Sequence, residues 1–155
     1  MESTEKMVYG QHNGFYDPEV IEGLEDWNLF LEYYNITQMA WRLNHTASIF
    51  LARGSSLGGE IDKMIADYNK LQYPIDYLLY QISKRNGIEV NEPDGVNRIK
   101  PDREVFMKWY RFYDNHFMHE LTDQEFRDFE RKREAGEDVT EYLPKGDWRS
   151  YESAN

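Results

Sequence analysis

The chain has 155 residues, no cysteine, and 29 acidic against 18 basic side chains, a formal net charge of -11. That length is one domain by the usual prior, and it buries enough surface to fold without a metal or disulfide. The missing thiols exclude disulfides, thiolate zinc sites and cysteine nucleophiles, and the surplus of acid disfavours DNA, RNA and anionic lipid, which are held by clustered Lys and Arg.

Along the chain, residues 1–16 read as a flexible N-terminal arm. Their first stretch, MESTEKMVYGQHNG, is polar and acidic, unlike a secretory leader. No apolar run approaches the roughly 18 residues of a membrane span, so a cytoplasmic location with no membrane partner is expected. Asp17-Pro18-Glu19 starts a first helix with an N-cap, a first-turn proline and an acid at its positive end. Val20, Ile21, Leu24, Trp27, Leu31 and Tyr34 then keep helical spacing. A second helix is expected from about Thr37 to Arg53, with Ile36, Met39, Ala40, Leu43, Ala47, Phe50 and Leu51 on one stripe and Gly54 as its stop. The two would form an antiparallel pair turning around Asn35.

A third helix is expected from about Gly59 to Asn69, and Pro74 divides it from a fourth that closes at Asn86-Gly87. Two short alternating runs, 87–90 and 96–99, flank Pro93-Asp94-Gly95 and predict a small β-hairpin. The fifth helix, about Asp102 to Glu120, places Val105, Phe106, Trp109, Tyr110, Phe112, Tyr113 and Phe117 on one arc of roughly 160°, which predicts the centre of the core. Thr122-Asp123-Gln124-Glu125 is a capping box for a sixth helix, flanked by Leu121 and Phe126 as a hydrophobic staple. That helix should dock by its first turn and project into solvent. Residues 137–155 read as a C-terminal tail anchored by Tyr142, Leu143 and Trp148. The expected fold is mainly α, a single-domain bundle of about six helices over residues 1–155 with one hairpin. Segment 59–99 has the element order of a winged helix-turn-helix.

Candidate chemistry is sparse. Asp114, His116, His119 and Glu120 include three groups that share a helix face and could ligate zinc or iron. The order is neither H-E-x-x-H nor a ferritin-type repeat, and a hydrogen-bonded core histidine is the ordinary occupant, so no metal or other cofactor is favoured. Gly54-Ser55-Ser56-Leu57-Gly58-Gly59 precedes a helix as a phosphate cradle does, yet Glu60-Ile61 stand where a P-loop needs Lys and Ser or Thr. No marked nucleophile appears, which weighs against an enzyme.

Residues 1–56 carry eight acids and three bases, 57–100 seven and six, and 101–155 fourteen and nine, so the middle is nearly neutral. Within it, Ile75, Leu78, Leu79 and Ile82 form a core stripe, while Tyr73, Tyr77, Tyr80 and Lys84 face the other way as a candidate interaction face. The leading reading is a non-enzymatic acidic protein-interaction module: an adaptor, inhibitor or assembly component whose partner is another protein, including a basic nucleic-acid-binding one. An inhibitor of that kind imitates phosphate spacing, as small phage-encoded antagonists do. The alternatives are a winged-helix DNA-binding regulator and, behind it, a metal-dependent enzyme using His116, His119 and Glu120.

Overall fold

The structure is a computed structural model, and it describes residues 17–54, 58–100 and 102–150. Among the described residues the regular structure is helical, without a strand. The N-terminal arm and Ser55, Ser56 and Leu57 of the proposed phosphate cradle lie outside them.

Asp17 caps α1 (Pro18–Glu22) by accepting from the Glu19 N–H at 2.9 Å. Two long helices follow, α2 (Asp26–Ala52) and α3 (Gly58–Arg85), packed along each other as an antiparallel pair. The turn expected at Asn35 is absent, and α2 runs straight through it. Asparagine costs a helix only a few tenths of a kcal/mol, roughly 0.6, against the buried series Leu29, Ile36, Ala40 and Ala47, which repeats at steps of seven and four across that position. Pro74 likewise fails to divide α3. It removes one backbone donor, but Leu71, Ile75, Leu78 and Ile82 are buried on both sides of it, and their burial outweighs a single missing bond. Two expected breaks are lost and one is gained at Gly23–Glu25, which parts α1 from α2 within the expected first helix, so six helices become five among the described residues.

Gly87, at φ 75°, closes α3 in a left-handed turn, with the Ile88 N–H donating to the Ser83 carbonyl at 2.9 Å. The following segment holds no hairpin. Pro93-Asp94-Gly95 does turn, since the Asp94 carboxylate accepts from the Val96 and Asn97 N–H groups, both at 2.8 Å. Its flanks do not pair, because Arg98 reaches back to the buried Asp76 on α3 at 2.8 Å and Ile99 packs on the core. Two four-residue strands alone are marginal in water, whereas this strap gains an ion pair and apolar contact. With α3 unbroken and no wing, the winged helix-turn-helix arrangement is not present.

Asp102 caps α4 (Arg103–Asp114), which continues into a π-helical turn, Asn115–Glu120, closed by the Leu121 N–H donating to the His116 carbonyl at 3.1 Å. Its aromatic arc enters the core as expected: Trp109, Phe112, Tyr113 and Phe117 are buried. The ring at the centre is Phe30 of α2, which touches Tyr34, Trp109, Tyr110, Tyr113 and Phe117 at centroid distances of 5.3–6.2 Å. The capping box forms, starting α5 (Asp123–Glu134). This helix does not project into solvent. Phe129 is buried against Phe117 and Trp27, and at the far end Arg133 donates to Glu32 at 2.6 Å and to Asn28. Beyond it Val139, just ahead of the 3-10 turn Thr140–Tyr142, and Trp148, in the 3-10 turn Trp148–Ser150, are buried, so the segment through residue 150 is held by the core. No helix among the described residues is long and apolar enough to cross a membrane.

Candidate interaction surface

The α2–α3 pair is clothed along only part of its length. Rings from α4 cover Phe30 and Tyr33; α5 meets Trp27, Asn28 and Glu32; α1 is tied to the end of α3 by Arg85, which donates to Asp26 at 2.9 Å and to the Glu22 carbonyl at 3.1 Å. The strap through Arg98 reaches α3 at Asp76. Past these points the two helices continue as a bare arm. Within 41–54 only Ala47 is buried, and within 59–70 only Ile61, so the arm is stitched by its own seam.

One side of this arm is apolar. The large hydrophobics exposed among the described residues are Trp41 at 58%, Leu51 at 60%, Ile65 at 42%, Tyr73 at 43% and Val96, and the first four belong to the α2–α3 pair. At 100° per residue, Trp41 and Leu51 fall on the side of α2 that carries Phe30, Tyr33 and Tyr34, within an arc of about 100°. On α3, Ile65 and Tyr73 flank the direction of Asp76, whose charge acts on Tyr33. The face that α4 covers near the body thus continues toward the tip without cover from the described residues. Interleaved on it are the exposed Asn44, Ser48 and Asn69 and, between the directions of Ile65 and Tyr73, the exposed carboxylate of Asp62. Trp41 stacks on His45 with centroids 4.7 Å apart, which fixes one broad aromatic plane.

The tyrosine face read from sequence divides in three. Tyr73 is exposed, Tyr80 is half-buried beneath the Lys84 ammonium at 5.2 Å, and Tyr77, only 4% exposed, is part of the core. Burial pushes the Tyr77 phenol above its ordinary pKa, with Glu22 and Glu92 near enough to add to the effect. Tyr77 is therefore no contact residue, because α1 and the strap close over that part of α3. Burial and Asp76 similarly raise Tyr33 to about 12.

The metal candidates do not converge. His116 points one ring nitrogen at the Glu120 carboxylate, 2.9 Å away, and the other at the Tyr142 carbonyl, 2.5 Å away, so neither is free to ligate. His119 turns instead to Asp114 at 3.5 Å. The π-helical turn breaks the register that would align the three groups, and among the described residues no set of three His, Asp or Glu side chains is placed to hold a cation. His116 acts as a clamp between that turn and the C-terminal segment.

The buried Glu32–Arg133 pair is the other polar feature, and nothing in sequence joins positions 101 residues apart. Burial pushes the Glu32 carboxyl above its ordinary pKa, and the Arg133 guanidinium pulls it back. Compared with protein-family models, characterised proteins and solved structures, the chain matches none.

Proposed function

We propose that this chain is a non-enzymatic protein-interaction module, and that it docks through the bare side of its α2–α3 arm. The observation that carries this reading is the gathering of Trp41, Leu51, Ile65 and Tyr73, all exposed among the described residues, on one side of two helices. Aromatic and aliphatic side chains of this kind supply contact area at interfaces, whereas isolated exposed hydrophobics are ordinary. The net charge of -11 disfavours phosphate backbones, which supports a protein partner over nucleic acid.

Leu51→Glu/Ile65→Glu is the informative variant. Both sites are exposed, so stability should change by no more than about 0.5 kcal/mol each. Affinity purification from the native host with wild type and variant is expected to yield bound species that the variant loses, with circular dichroism and Tm unchanged. An identical set of bound proteins would refute the assignment of this face.

A further inference from the structure

We infer that the occupant of the bare face is a second copy of the same chain, so that two arms pack antiparallel into a four-helix bundle. This rests on the reading of that face as an interface and adds the identity of the partner.

The spacing along the arm is self-complementary. The helices are joined at residues 53–57, so distance from the tip follows the number of residues from position 55. Leu51 then lies four residues from the tip, Ile65 ten and Trp41 fourteen, or roughly 6, 15 and 21 Å at the helical rise. Ile65 stands within one residue of the midpoint between the other two. A two-fold operation through that midpoint sets Leu51 of one copy over Trp41 of the other, reciprocally, and Ile65 over its own counterpart. This is the signature of an isologous interface, in which a contact from i to j is returned from j to i. Tyr73, eighteen residues from the tip, lies at the body end of the face, beyond the stretch that pairs in this way.

Charge favours the same occupant. Residues 41–70 contain Arg42, Arg53, Lys63 and Lys70 against Glu60, Asp62 and Asp67, a net of +1 in a chain of -11. Two copies meeting through the acidic body would stack like charge, while two arms meet nearly neutral, with Asn44, Ser48, Asn69 and the charged Asp62 among the apolar contacts. A two-helix hairpin also leaves one side of its apolar surface unburied, and pairing two of them is the ordinary way to complete a bundle. The face is about 20 Å long and two helices wide, at the small end for an interface, so a dimer of micromolar strength is expected.

The test uses the full untagged chain. Sedimentation equilibrium from low to high micromolar concentration is expected to show monomer passing to dimer, with Leu51→Glu/Ile65→Glu weakening association about tenfold or more. Because the chain has no cysteine, Ile65→Cys provides a second reading: mild oxidation should give a covalent dimer across the two-fold axis. Val96→Cys is the control, since Val96 is 81% exposed and random collision would favour it over position 65. A wild-type monomer throughout, or cross-linking at position 96 as fast as at 65, overturns the dimer. Should the monomeric protein still lose captured partners with the double substitution, the face remains an interface for a different protein. If capture is also unaffected, both readings fall.

Discussion

Glu32 and Arg133 show how a single contact can fix an element that sequence leaves loose. Both side chains are buried, Glu32 on α2 and Arg133 at the end of α5, and their pairing holds the last turn of α5 against the body. Removing one partner strands a buried charge, so Arg133→Met is expected to destabilise by about 3–5 kcal/mol in urea unfolding. Glu32→Leu with Arg133→Met should recover most of that loss, because replacing a whole buried pair with apolar groups is often neutral. A double variant as unstable as the single would show that packing around Arg133, and not its charge, holds α5. None of this was legible in the sequence, where α5 shows only Phe126 and Phe129 as apolar anchors. Phe30 was equally hidden. It lies in the run Leu29-Phe30-Leu31-Glu32, all four buried, so α2 is surrounded there on every side and shows no stripe from which a period could be read.

Element ends marked by local chemistry were readable, and elements decided by tertiary packing were not. Asp17, Asp102 and Thr122 cap helices where their side chains predict, because a cap is satisfied within three residues. The expected breaks at Asn35 and Pro74, and the expected pairing of 87–90 with 96–99, failed because contacts far along the chain compete with local preference. Pro74 gives a test at this scale. Proline in a helix interior costs roughly 3 kcal/mol relative to alanine, offset by its stiffening of the unfolded chain and by the ring it buries. Pro74→Ala is therefore expected to raise stability, on the order of 1 kcal/mol by thermal unfolding. A loss of stability would mean that the buried ring, and not helix continuity, is what position 74 contributes. Of the candidate site, the exposure of Tyr73 followed from its position, while the burial of Tyr77 depended on α1 and the strap, which helical spacing cannot place.

Over the whole molecule, acid and aromatic surface occupy different territory. Most rings lie in one cluster around Phe30, where α2, α3, α4 and α5 meet. The arm departs from that cluster and carries almost no net charge, with Trp41, Leu51 and Ile65 exposed along one side. Composition indicated an acidic, aromatic helical protein suited to gripping another protein; the proposed docking side, bounded by Trp41, Leu51, Ile65 and Tyr73, shares only Tyr73 with the tyrosine face expected from sequence. Hydrogen–deuterium exchange at low and high protein concentration tests this most directly. Amides of 41–54 and 58–70 are expected to gain protection as concentration rises, while those of α4 and α5 stay constant. Protection that is independent of concentration in the arm, or that rises across the body instead, would contradict it.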